Sequence, residues 1–314
     1  MSVLISMLIG SKVSKKALVE KSILSIISSM DLEDFLLVVG VAPYIKSDII
    51  NFVDSIQEQE VRLIIIKDCC FSAPEFHNFV FREYGAEAKW FIVAHDDIEV
   101  KTKNLIYTLE GALKFSSEDV GWVSFTDDDY LQGHWAPSTR AGFHFDFLYE
   151  EAWQKKKMWQ FHLLETDYWK KGTGSSYFSN LNYDFPTSAV KCHAPFCHFI
   201  AIESEKLRTI GLWETWGITS LLADEDQGLK ALKEGLVNVW VPDIIYTHIR
   251  QVGGTRSWPI IMREKDYVHE AFAKKWGFYF SSPKDSLKKI KRMYGNTNIP
   301  WSMDKRSFEW DYLV

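Results

Sequence analysis

Lys89-Trp90-Phe91-Ile92-Val93-Ala94-His95-Asp96-Asp97-Ile98-Glu99-Val100 is the stretch on which the fold turns. An apolar run from Trp90 to Ala94 stops at two adjacent carboxylates. A run of this length and bulk reads as a strand buried on both faces. The first charges mark where such a strand leaves the core. In an open α/β sheet, ligands sit outside the carboxyl ends of the strands. Asp96 and Asp97 are therefore expected at the rim of a crevice. Neighbouring carboxylates repel unless a cation or donor relieves them. A divalent ion carrying a diphosphate would do so; a solvated turn after a strand is the plainer alternative.

Upstream of this stretch, strand and helix signals alternate. Ser2 to Ile9, Phe35 to Val41 and Val61 to Ile66 are apolar runs, read as strands. Between them, Lys15 to Met30 carries apolar residues at helical spacing, and Ser47, with Asp48 behind it, can cap a helix through about Gln57. Ser72 to Tyr84 reads as a third helix, closed by Gly85. Continuous apolar strands joined by helices indicate a parallel sheet with helices on both faces.

Downstream, Asn104 to Lys114 reads as helix and Val120 to Phe125 as strand, ending at the acidic Thr126-Asp127-Asp128-Asp129. From Leu131 to Pro195 the pattern degrades into an aromatic and polar segment, of the kind that is functional when found in a compact domain. Order returns with a strand from Phe196 to Ile202, and Leu207 to Gly217 reads as a turn region. Asp224-Glu225-Asp226 opens a helix, Gln227 to Glu234. Strand signals follow at Leu236 to Val241 and Ile244 to His248, then a loop from Gly253 to Trp258 and a helix from Asp266 to Trp276. The chain after Gly277 is basic, then aromatic.

Composition narrows the function classes. The chain has 314 residues, 46% hydrophobic and 25% charged, enough for a full core. A net charge of −6 argues against nucleic-acid binding through a broad basic surface. The four cysteines, Cys69, Cys70, Cys192 and Cys197, form no disulfide framework, so a reducing compartment is expected. Cys192-His193 with Cys197-His198 matches no standard zinc spacing. The apolar start, Met1 to Gly10, lacks the basic flank and cleavage site of a signal peptide, and no apolar run spans a bilayer. A cytoplasmic protein with at most peripheral membrane contact is expected.

Three acidic or imidazole features converge at one sheet edge on this reading. They are Asp96-Asp97, the helix start with Glu225 and Asp226, and His248 at a strand end. Carboxylates are stabilised at a helix N-terminus, where Asp226 can serve as a base. A neutral imidazole is a good metal ligand.

With these residues in place, the chain resembles the GT-A glycosyltransferases, in particular family 2 of the nucleotide-sugar transferases, from about Val3 to Gly277. His95-Asp96-Asp97 is similar to the Asp-x-Asp motif, with His95 where the first acid usually stands. Glu225-Asp226 with Gly228-Leu229-Lys230 and Gly235 resembles the family's Glu-Asp segment, and Tyr267 to Gly277 the segment that closes the domain. The resemblance implies a GT-A, Rossmann-like, mostly parallel sheet. Residues 1–130 would form the nucleotide-sugar half, 131–195 an acceptor-side insertion, 196–277 the catalytic half and 278–314 an extension. It implies a divalent metal, Mn²⁺ or Mg²⁺, held by Asp97, Asp96 and His248. It implies a UDP- or GDP-sugar donor near Gly10, Ser11, Gly40, Asp68, Asn78, Asp96 and Arg256. Gly40-Val41-Ala42 stands where the family usually has a base-reading Asp, with Asp68 as a substitute. Asp226, assisted by Glu225, would be the base for an inverting displacement onto a glycan or lipid-linked acceptor, as in polysaccharide biosynthesis. Trp213 and Trp216 suit either stacking on an acceptor sugar or core packing. Two other classes remain: a sugar nucleotidyltransferase, for which Gly10-Ser11-Lys12 is a slight phosphate loop, and a GT-A-like domain that binds a glycan or partner without turnover.

Overall fold

The computed structural model describes residues 1–10, 14–30, 34–58, 60, 62–69, 72–114, 119–127, 190–192, 198–217, 222–248 and 258–277. Ser11, Asp128, Asp129, residues 131–189 of the acceptor-side insertion, the Gly253–Ser257 loop with Arg256, and the 278–314 extension lie outside them.

The chain first runs β1 (Val3–Ile9), α1 (Lys16–Met30), β2 (Phe35–Val41), α2 (Ser47–Gln57), β3 (Leu63–Ile66), α3 (Ala73–Tyr84) and β4 (Trp90–His95). It continues with β5 (Ile98–Val100), α4 (Leu105–Leu113), β6 (Val120–Asp127), β7 (Val190–Cys192) and β8 (Phe199–Glu203). It ends with α5 (Ser204–Ile210), α6 (Ala223–Lys233), β9 (Val237–His248) and α7 (Trp258–Trp276). The strands form one sheet in the order β3-β2-β1-β4-β8-β6-β9-β5, with β7 also on β9.

The first half matches the expected strand–helix alternation. β1 pairs in parallel with β2 and with β4, and β2 with β3. Side chains alternate between the two faces, as strand geometry requires. Val3, Ile5, Met7 and Ile9 join one core with Ile23 of α1, Val53 of α2 and Leu109 of α4. Leu4 joins the other, with Phe76 of α3, Leu207 of α5 and Ala231 of α6. Helices therefore cover both faces. The α3 start is fixed by a capping box: Ser72 N–H donates to Glu75 Oε2 at 2.8 Å, while Ser72 Oγ accepts from Glu75 N–H.

The second half departs from a purely parallel sheet. β8 inserts antiparallel between β4 and β6. β6 and β9 keep the common direction, and β5 and β7 run against β9. The sheet is mostly parallel, with its reversed strands in the half that follows β4. Leu207 to Gly217, expected as a turn region, begins inside the helix α5, which ends at Ile210. The two strand signals around Pro242-Asp243 are one strand, β9, whose register with β6 jumps from Phe125↔Val241 to Thr126↔Ile245. Proline has no N–H for the ladder, so the chain bulges there and resumes. Ser47 is the first residue of α2 rather than its cap; Lys46 holds that position.

Candidate functional site

β4, β8 and β9 deliver three imidazoles to one place. The β4–β8 ladder ends where His95 N–H donates to the His198 carbonyl at 2.9 Å. Cross-strand neighbours project side chains to the same face, and these two rings lie 4.9 Å apart, centre to centre. After His95 the chain turns through Asp96-Asp97 into β5. There Ile98 pairs with His248 at the end of β9. That register brings His248 Nε2 to 3.2 Å from Asp97 Oδ1, with His95 Nδ1 at 3.9 Å from the same oxygen. The His198 and His248 rings lie 3.8 Å apart. One ligating nitrogen from each histidine lies within 4.8 Å of the others. Asp97, His198 and His248 are buried, whereas the His95 side chain is 31% exposed.

Beside Asp97, Asp96 accepts a hydrogen bond at its Oδ2 from Ser14 Oγ at 3.0 Å. Its carboxyl is pushed up to about 7, first by lost hydration and then by the charge of Asp97. Ser22 of α1 donates to the His95 carbonyl at 3.1 Å, so the first βα unit supports this turn. Asp97, Asp96 and His248, three expected metal or phosphate residues, are thus brought together. Imidazole nitrogens and a carboxylate oxygen are a donor set that holds a divalent ion, so these residues fit one. His198 is the residue missed by sequence reasoning. Its local signals were its place just before an apolar strand and its pairing with Cys197, which matched no standard zinc spacing.

Asp226 belongs to a second cluster. Its acids fill the first turn of α6, where the helix dipole favours them. The carboxylate is 1% exposed. Trp276 Nε1–H donates to Asp226 Oδ1 at 2.9 Å, and Lys275 Nζ stands 2.8 Å from the same oxygen. Lys230 lies 3.4 Å from Oδ2. Lys230 also donates to the Leu212 carbonyl, and burial lowers its pKa. Lys275 Nζ donates to Glu214 at 2.7 Å as well. Leu222, Leu229 and Leu232 pack with Val268, Phe272 and Trp276 beneath this network. The end of α7 closes over Asp226, the residue expected as base, through Trp276 and Lys275. Glu225, beside it, is partly exposed.

Other expected contacts have different work. Asn78 is buried and brackets the main chain of Trp213: its Nδ2 donates to the Trp213 carbonyl at 2.8 Å, and its Oδ1 accepts from the Trp213 N–H at 2.9 Å. The Trp213 ring is core, 5.0 Å from Trp122 and 6.1 Å from Phe91. Trp216 is half-buried against Phe272. Gly40 sits in β2 where a Cβ would come 2.6 Å from the Phe76 ring, so close packing explains the glycine. The Gly10 carbonyl accepts from Tyr44 Oη at 2.8 Å. Asp68 is exposed after β3 with a left-handed φ of 55°.

No protein-family model matches the chain, and no curated protein matches it by sequence. Solved structures do match. The Pyrobaculum calidifontis mannosyltransferase PcManGT, in complex with GDP-Man and Mn²⁺, aligns at a TM-score of 0.53 and 14% identity, over 94% of this chain and 69% of that one. GalNAc-T7 with UDP, GalNAc and Mn²⁺ aligns at 0.52 and 12%, over 98% of this chain but 56% of that one. S. aureus TarS with UDP-GlcNAc aligns at 0.52 and 8%, over 99% and 78%. The fold is therefore GT-A, the architecture of these glycosyltransferases. Among the described residues, no helix is long and apolar enough to cross a membrane.

Proposed function

We propose that the protein is a glycosyltransferase that moves a sugar from a nucleoside diphosphate onto a hydroxyl of a glycan or lipid-linked acceptor, with inversion. The observation that carries this reading is the meeting of Asp97 and His248, 3.2 Å apart, at the carboxyl ends of the strands of a GT-A sheet. A divalent ion held by Asp97, Asp96 and His248 would neutralise charge on the leaving diphosphate. Gly10 and Asp68, which follow β1 and β3 at the same sheet edge, would border the nucleoside, and Arg256 is the phosphate partner proposed from sequence. The first turn of α6 supplies the base that takes the acceptor proton. Asp226 is that base once Trp276 and Lys275 withdraw, and Glu225 is the carboxylate reachable while they stay. Trp216 borders the acceptor. The protein acts in the cytoplasm, at most touching the membrane surface.

A panel of UDP- and GDP-sugars, each with Mn²⁺ or Mg²⁺, tests this reading through donor hydrolysis and nucleotide-induced thermal shift. Hydrolysis of one donor supports it; no hydrolysis and no shift with any nucleotide overturns it. The closure of α7 over Asp226 favours a second reading, a GT-A domain that binds nucleotide or glycan without turnover. A thermal shift without hydrolysis or transfer would select that one.

A further inference from the structure

His198 lies outside the donor set carried by the proposed function, yet it completes a cluster of imidazoles. His95 and His248 end β4 and β9 and His198 directly precedes β8, and the β4–β8 and β5–β9 ladders bring them together. Their ligating nitrogens lie within 4.8 Å of one another, and Asp97 Oδ1 lies 3.2 Å from one of them. His198 and His248 are buried. The cluster sets three imidazole nitrogens beside a buried carboxylate. Three imidazole nitrogens and one carboxylate oxygen are a nitrogen-rich set. Imidazole suits zinc, copper, iron and nickel, whereas Mg²⁺ demands oxygen ligands in near-ideal octahedral geometry. The partly exposed flank at His95 leaves one side of the cluster accessible, as a catalytic rather than structural ion requires.

We propose that His198 is a metal ligand and that His95, His198, His248 and Asp97 form a centre that binds a borderline transition ion, of the class of Zn²⁺, Co²⁺ or Fe²⁺, in preference to Mg²⁺. This deepens the reading of the same site as the place of a donor diphosphate and rests on it only for the ion's purpose. The ligand assignment stands on geometry alone.

The test uses the full chain, stripped of metal with a chelator and titrated with Co²⁺. Visible d–d absorption should appear at one equivalent and survive a large excess of Mg²⁺. His198→Ala should weaken Co²⁺ binding by at least about tenfold with an unchanged far-UV spectrum. On the unsubstituted protein, NMR of the Co²⁺ form should show ring N–H signals shifted by the paramagnetic ion from three histidines, which settles the matter if the variant fails to fold. Displacement of Co²⁺ by comparable Mg²⁺, unchanged affinity in His198→Ala, or fewer than three shifted rings would overturn the proposal. Nucleotide-induced thermal shift is read in parallel. A His198-dependent Co²⁺ site without any nucleotide shift leaves the centre standing and removes the transferase reading; a nucleotide shift with no such site does the reverse.

Discussion

Lys275 Nζ and Asp226 Oδ1 lie 2.8 Å apart and tie the last turn of α7 to the first turn of α6. Trp276 reaches the same oxygen through its indole N–H. Asp226 is thus a structural clasp in this conformation as well as the proposed base. Asp226→Asn separates the two roles. It leaves Lys230 and Lys275 without the carboxylate and should cost about 3 kcal/mol in urea unfolding. Under conditions where the variant is folded, transfer should fall by about 100-fold or more. Full turnover by the folded variant would reassign the base to Glu225, and Glu225→Gln would then carry the loss. Trp276→Phe removes the N–H donor together with part of the packed ring and should cost about 1–3 kcal/mol.

The Asn78 amide bridges α3 to the turn that holds Trp213, using one donor and one acceptor. Asn78→Ala leaves the buried Trp213 N–H and C=O groups without these partners. The expected loss is about 2–4 kcal/mol by chemical denaturation. Asn78→Asp exchanges the donor for a second acceptor facing the Trp213 carbonyl and buries a charge, so at neutral pH its stability should fall at least as far as that of Asn78→Ala. Nucleotide-induced thermal shift should be the same in both variants, because the amide is spent within the protein.

The legible part of this chain is the part built from local signals. β1, β2 and β4 lie inside the sheet, so their sequences read as unbroken apolar runs that mark both position and direction. α3 announces itself through Ser72 and Glu75, three residues apart. The acids of α6 were legible as a helix start for the same reason. β8 was legible as a strand but not as a reversed one, since direction depends on which strand it pairs with. β5 is three residues long and has no period to read. His198 illustrates the limit. Its role depends on a hydrogen bond to His95, 103 positions away in sequence, and on a ladder through β5 that places His248. Nothing local distinguishes it from the neighbouring His193. Trp213 fails for another reason: stacking on a sugar and packing in a core require the same side chain, and only its burial against Trp122 and Phe91 decides between them.

Gly40 lies in β2 between Leu8 of β1 and Ile66 of β3. A Cβ there would meet the Phe76 ring at 2.6 Å and Leu8 at 2.9 Å. Gly40→Ala should therefore destabilise by about 1–3 kcal/mol through overpacking. Phe76→Leu in the same chain makes room, and the double variant should recover part of the loss. Donor binding by the folded single variant should be unchanged. Weaker nucleotide binding with unaltered stability would instead place Gly40 at the nucleotide.

Asp96 and His77 give the ion-stripped protein opposite responses to acid. His77 is buried beside Ser6, with 2.8 Å between Ser6 Oγ and His77 Nδ1, and burial first and His95 second lower its pKa to about 3. Its unfolded value is 6.5, so below that pH the unfolded chain takes up a proton that the folded one refuses. Stability from His77 is complete above 6.5 and is lost as pH falls toward 3. Asp96 works the other way. Its folded value near 7 lies above the unfolded 3.8, so the folded protein holds the extra proton and gains stability as pH falls from 7 toward 3.8. Each slope is at most about 1.4 kcal/mol per pH unit, and between 3.8 and 6.5 the two oppose each other. Asp96→Asn should unmask the loss caused by His77, and its stability relative to the parent should fall as pH drops through that window. His77→Asn should unmask the gain from Asp96 and move the difference in the opposite direction. Urea unfolding at a series of pH values in EDTA measures both. Parallel curves for the parent and Asp96→Asn would mean that Asp96 titrates alike in the folded and unfolded chains, and the repulsion from Asp97 would then have to be relieved within the protein itself.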